Sequence, residues 1–361
     1  MRILFLTSSE ADYLADSLLL GLRQIFGANI VDYPRCDALY RNCPAAIQSQ
    51  IRGHGFTLYT GLLDDVPVDR YGIGAKLMRG VYDLIIISDI WRQFGFFTQW
   101  RPYLHPGNTL IVDGADTPQV YPHAGHWWRR PYFWGLPRAS DGFLYFKRER
   151  GPESRFDLWH KLLPDFCLKK LPNYRGLRRI SFGFPSDKIV VRDPIKTKDF
   201  PRHIVDEEVA SRVSGSGTGY GFTSEAEYYA DLQASRFGVT TRRAGWDCLR
   251  HYEIAANGAV PCFRDLQGKP ADCAPHGLVH GENCISYQDA DDLFIQTARL
   301  TADDYSRLQQ GALEWIRAKS TRVIAGDMIA EWRRFLASGL AARADGSRRT
   351  MGENEFDSTS V

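Results

Sequence analysis

The chain opens on an apolar run, Arg2 to Thr7, then a polar stretch, Ser8 to Asp12, then Leu14, Leu18 and Leu22 at helical spacing. Side chains four positions apart stack on one helix face, so this order predicts strand, loop, helix, the first unit of a Rossmann-like fold. Further strands are predicted at Asn29 to Tyr33, Tyr82 to Ser88, Thr109 to Val112 and Gly142 to Phe146. Leu84-Ile85-Ile86-Ile87 is apolar throughout, as a strand covered on both faces of a parallel sheet must be. The Thr109 strand runs into Asp113-Gly114-Ala115-Asp116, and ligands of open parallel sheets bind beyond the carboxyl ends of the strands. Asp116 and its neighbours are therefore cleft candidates.

Between about residues 150 and 190 the periodicity weakens and Pro, Arg and Lys accumulate, as expected of a crossover between lobes. Beyond it come a Gly/Ser-rich run, Ser214 to Gly219, read as a flexible surface loop, a helix from Ser224 to Ser235 and a strand at Phe237 to Thr240. Helices are predicted at Tyr305 to Leu313 and at Trp315 to Thr321. A last one, near residues 326–340, carries Ile329, Trp332, Phe335 and Leu336 on one face. At 361 residues the chain is long enough for two domains. The expected division is a first domain over 1–165, a second over 166–325, the helix over 326–340 and a disordered polar tail over 341–361.

Composition narrows the function classes. The 45 basic and 43 acidic residues leave a net charge of +2, too little for a global field that would draw in nucleic acid. Trp127-Trp128-Arg129-Arg130 is a local patch suited to a sugar, a base or phosphate, or else surface arginines beside half-buried tryptophans. The opening apolar run is too short for a signal peptide, and no stretch approaches the ~18 apolar residues of a membrane span. The expected compartment is the cytoplasm, with membrane association peripheral at most. Seven scattered cysteines fit reduced thiols. The turn Thr7-Ser8-Ser9-Glu10 lacks the glycines of a dinucleotide fingerprint, which disfavours a dehydrogenase.

The densest segment runs from Arg243 to Phe263: Gly245-Trp246-Asp247, then Arg250 and Glu253 one helical turn apart, an Ala-rich stretch, Gly258, and Val260-Pro261. The order is loop, helix, Gly turn, strand. A helix N-terminus attracts anions, an Arg fork suits phosphate, and a carboxylate suits vicinal hydroxyls. The alternative is an ordinary helix with an Arg–Glu pair, packed by its Ala-rich face. This segment resembles the donor-side motif of GT-B glycosyltransferases, in particular the family 1-like and exostosin-like enzymes. The resemblance implies an α/β fold of two Rossmann-like domains facing a cleft, the first on the acceptor side and the second holding the nucleotide sugar, with the last helix crossing back to the first. It also implies Glu253 as the ribose ligand and Arg250 as a phosphate contact, with Gly245, Trp246 and Asp247 at the donor. The paired Glu of the commonest form is absent, and Gly245 stands in its place.

Cys262, Cys273, His276, His280 and Cys284 form a second dense patch, but without the close ligand pairs of a structural zinc. His276 is read instead as a donor contact on a loop rimming the cleft, or as a buried structural histidine. No metal and no cofactor is expected, the nucleotide sugar being a co-substrate. For the base, which the acceptor side must supply, the candidates are Asp116, Glu10 and His123, with Asp12 and His126 beside them. Asp12 also suits a helix cap, and Asp116 a turn before Pro118. The function implied is metal-independent transfer of a sugar to a hydroxyl on a glycan, a lipid-linked carrier, a nucleobase derivative or a small molecule. A nucleotide-sugar epimerase of the same fold and a non-catalytic binding module are the alternatives.

Overall fold

The computed structural model describes residues 1–8, 12–48, 58–121, 142–156, 163–168, 170 and 176–339. Six strands form the first sheet: β1 (Ile3–Leu6), β2 (Ile30–Tyr33), β3 (Leu84–Ile87), β4 (Thr109–Asp113), β5 (Leu144–Lys147) and β6 (Leu177–Arg179). All pair in parallel, in the order β2-β1-β3-β4-β5-β6. Counting only helices of eight residues or more, α1 (Tyr13–Phe26) covers one face and α2 (Ile90–Gln99) the other. Ile3, Phe5 and Ile86 pack with Leu14, Leu18 and Leu22 of α1, while Leu4, Ile85 and Ile87 pack with Phe94 and Phe97 of α2. Alternation of side chains along a strand thus explains why both neighbours in a continuous apolar run are buried.

The second sheet is smaller: β7 (Phe237–Thr240), β8 (Val260–Arg264) and β9 (Ile285–Tyr287), again all parallel. Around it stand α3 (Glu225–Ala234), α4 (Leu249–Ala256), α5 (Ala290–Arg299) and α6 (Ala302–Arg317). The segments expected at Tyr305 to Leu313 and from Trp315 lie in one helix, α6, which a capping box at Thr301 and Asp304 starts at Ala302 and which ends at Arg317, while Thr321 already opens the next helix.

The last helix, α7 (Thr321–Ala337), follows the second lobe in sequence but lies on α1 of the first. Its Ala325, Met328, Ile329, Trp332 and Phe335 are buried in one core with Leu18 and Leu22. A Cβ on Gly21 would sit 2.0 Å from the Thr321 carbonyl oxygen, so only glycine lets the two helices approach this closely. The Ser320 hydroxyl, accepting from the Val323 amide at 3.4 Å, starts α7 ahead of the apolar stripe from which its beginning near residue 326 was read. The first sheet likewise reaches past the boundary expected at residue 165, since β6 pairs with β5. The tail over 341–361 lies outside the described residues.

Candidate functional site

A cavity of about 460 Å³ opens between the lobes. Asp12, Gly114, Asp116 and Arg148 line it from the first lobe, at the carboxyl ends of strands; Tyr220, Arg243, Gly245, Arg250 and Glu253 line it from the second. Cys248, Leu249 and Arg250 also border it, so the N-terminal end of α4 faces the space.

Arg250 and Glu253 rise from successive turns of α4 into this cavity. Nε and Nη1 of Arg250 are buried and have no hydrogen-bond partner, and Nη2 lies 3.4 Å from Nε2 of His203. Burial, and then the Arg250 charge, lower the His203 pKa and favour its neutral ring. Glu253 receives one long hydrogen bond, from the Tyr228 hydroxyl at 3.4 Å. Burial pushes its carboxyl up to about 7, against the lowering influence of Arg250. A desolvated guanidinium and a carboxylate, both short of partners, are suited to a ligand bearing phosphate and hydroxyl groups.

Gly245 packs tightly against the first lobe: a Cβ there would be 2.4 Å from Oε1 of Glu149 and 3.1 Å from Oδ1 of Asp116. The Trp246 side chain serves the loop rather than the cavity. The Trp246 indole stacks on Phe263 at 6.3 Å with Arg242 over its face, and is not part of the cavity wall. Its carbonyl accepts from His251 Nε2 at 2.9 Å, while the Thr240 hydroxyl is 2.8 Å from Nδ1 of that buried ring. Asp247 borders the cavity, but its carboxylate accepts from the Tyr252 hydroxyl at 2.7 Å and the Phe182 amide at 3.3 Å. Burial raises its carboxyl to about 6. Of the residues expected at the donor, Gly245, Asp247, Arg250 and Glu253 border the cavity and Trp246 does not. His276 lies outside this cavity and lines a second one, its carbonyl held by the Trp315 indole at 2.8 Å.

On the first lobe, Asp116 is half exposed and ion-paired to Arg148. Asp12 does two things: it caps α1, accepting from the Leu14 and Ala15 amides at 3.0 Å, and it borders the cavity. Burial raises its carboxyl above the ordinary range, with Arg92 and Arg148 opposing. Glu10, His123, His126 and the Trp127–Arg130 patch lie outside the described residues. Among the described residues no three His, Cys, Asp or Glu side chains are grouped to hold a metal ion.

The sequence reading missed four contributors. Arg148 and Glu149 follow β5 directly, and the charged run Lys147-Arg148-Glu149-Arg150 after an apolar strand was the available signal. Tyr220 and Tyr228 form an aromatic wall with ring centroids 5.5 Å apart. Tyr220 follows the Gly/Ser-rich run, which an isolated bridge between Gly217 and His203 ties to the 202–204 backbone.

No protein-family model and no curated protein matches the chain. Solved structures do. A glycosyltransferase from Rickettsia africae superposes with a TM-score of 0.53 at 9% identity, over 93% of this chain and 98% of that one. Anabaena HepE in complex with UDP superposes with a TM-score of 0.50 at 12% identity, over 94% and 100%. The likeness extends over both lobes and is one of fold: two Rossmann-like domains of GT-B type face a cleft, and the C-terminal helix crosses back to the first.

Proposed function

We propose that the protein is a glycosyltransferase that moves a sugar from a nucleoside diphosphate sugar to a hydroxyl acceptor without a metal ion, acting in the cytoplasm. The observation that carries this is the Arg250–Glu253 pair, two half-buried groups short of protein partners at the cleft end of α4. Arg250 and the α4 amides meet the diphosphate, and the Glu253 carboxylate accepts from the ribose hydroxyls. As the bond from the sugar C1 to the diphosphate breaks, the departing negative charge settles on those fixed donors. Asp116, at the facing wall, takes the acceptor hydroxyl proton as the new glycosidic bond forms. Its half-exposed side chain is held by Arg148. Glu10 and His123 are the further base candidates. Acceptors of this kind are a glycan, a lipid-linked carrier, a nucleobase derivative or a small metabolite. Among the described residues no helix is long and apolar enough to cross a membrane.

The test is a thermal-shift and turnover screen of UDP, GDP, TDP, CMP and ADP with their sugars. UDP comes first because the HepE structure holds it. Nucleotide diphosphate release dependent on an acceptor, undiminished by EDTA, supports the reading. Failure of every nucleotide to raise the melting temperature overturns the site, and full loss with EDTA rescued by manganese overturns the metal-free route. Binding without release indicates a binding module, and interconversion of the donor sugar an epimerase.

A further inference from the structure

A second cavity, about 540 Å³, shares no wall residue with the interlobe cleft. Its walls come from the carboxyl end of β6, from the Asp272 to His276 loop and from α7. Several wall charges are internally matched: Arg178 with Glu331, Arg334 with Glu331 at 2.9 Å, and Arg150 with Asp272 at 3.5 Å. Arg179 and Lys319 are not: among the described residues neither side chain has an ion-pair or hydrogen-bond partner. At longer range Asp247 attracts Lys319 more strongly than Arg179 repels it, and Asp327, also in the wall, adds a weaker attraction. Beside them, both ring nitrogens of His276 are buried without a hydrogen bond of good geometry, although the Ile180 backbone is near. Burial first, then Lys319, Arg179 and Lys269, hold that ring down at about 3.

Two cations without an ion-pair partner and a half-buried imidazole that both of them keep neutral thus face one space, a donor set suited to an anion. We propose that this cavity binds a phosphate-bearing small molecule, gripped by Arg179, Lys319 and His276. Phosphate presents several acceptor oxygens, which an Arg fork, an ammonium and an imidazole N–H can share. The ligand would touch the first sheet, the second-lobe loop and the turn that leads into the crossing helix at once. Its occupancy therefore stabilises their mutual packing, and binding is readable as a melting shift.

Inorganic phosphate is the probe, titrated into the full-length protein against sodium chloride at matched ionic strength. The expected result is a saturable rise in melting temperature with phosphate alone. The rise is lost in Arg179→Gln/Lys319→Gln and kept in Arg250→Ala, which disarms the interlobe cleft. The double variant without phosphate should melt close to the parent, because the repulsion it relieves is offset by the attraction to Asp247 that Lys319 loses. If it melts lower, Arg179→Gln alone, a change at an exposed side chain, repeats the test by calorimetric titration and should weaken phosphate binding severalfold. A rise that survives the double variant, vanishes with Arg250→Ala, is matched by chloride or never occurs overturns the assignment.

Discussion

At Glu253, burial has changed what a carboxylate does across neutral pH. Its pKa stands at about 7 in the fold, against an ordinary value of 4.5. The folded state thus keeps a proton that the unfolded chain releases. The associated stability is fully present below pH ~4.5 and is lost as pH rises through about 7, by on the order of 3 kcal/mol at most. Glu253→Gln is therefore expected to flatten the fall in melting temperature between pH 5 and 8 and to leave unliganded stability at pH 7 equal or higher. The same change is expected to weaken nucleotide binding roughly tenfold or more, since a charge-assisted hydrogen bond contributes about 1.5–3 kcal/mol. Melting curves across pH with and without UDP separate the two effects, and unchanged nucleotide affinity would make Glu253 structural. Gly245 makes a second test at this scale. Its missing Cβ leaves room for Glu149, whose carboxylate accepts from the Trp246 amide at 2.9 Å and the Asp247 amide at 3.0 Å. Gly245→Ala is expected to cost about 1–3 kcal/mol in urea denaturation, as overpacking does where the neighbour is pinned.

At the scale of elements, what could be read from the sequence was what local pattern decides. β1 and β3 announced themselves as apolar runs, and α1 by leucines at helical spacing. β6 gave no such signal: Leu177-Arg178-Arg179 has one apolar residue and is a strand because β5 offers it an edge to pair with. In the site, helical spacing put Arg250 and Glu253 on one face. It could not say that Trp246 turns onto Phe263 or that His276 points into a different cavity. Helix α7 was legible as an amphipathic stripe, and the resemblance to GT-B enzymes supplied its destination. Its apolar face covers α1, so a chain ended after Ile324 is expected to lose most first-lobe stability, judged by melting temperature and by turnover. A chain ended at Ala341 should behave as the parent. If the shorter chain is fully stable, α7 does not hold the lobes together.

Over the whole molecule, the lobes are joined at the cleft through Arg148, the residue that follows β5. Arg148 donates to the Gly114 carbonyl at 3.1 and 2.9 Å and pairs with Asp116, all in the first lobe. It also donates to the Asp247 carbonyl at 2.7 Å, a residue 99 positions away in the second lobe. Glu149 extends the joint: it pairs with Arg148 at 3.0 Å and receives the two amides beside Gly245 and the Cys273 thiol at 3.1 Å. Asp247 and Glu149 are buried acids, and Arg148 is the cation that makes their burial tolerable. Breaking such a group by removing one partner costs about 3–5 kcal/mol, far more than a surface pair. Arg148→Met is therefore expected to lower stability by that order. Arg148→Lys should rescue little, because one ammonium cannot span the carbonyls of Gly114 and Asp247 as a guanidinium fork does. The decisive measurement is urea unfolding followed separately by a fluorescent label on each lobe. The parent should unfold in one transition at both labels, and Arg148→Met in two, the smaller second lobe first. Coincident transitions in the variant would mean that other contacts, α7 and Glu149 among them, couple the lobes, and that Arg148 lines the cleft without holding the lobes together.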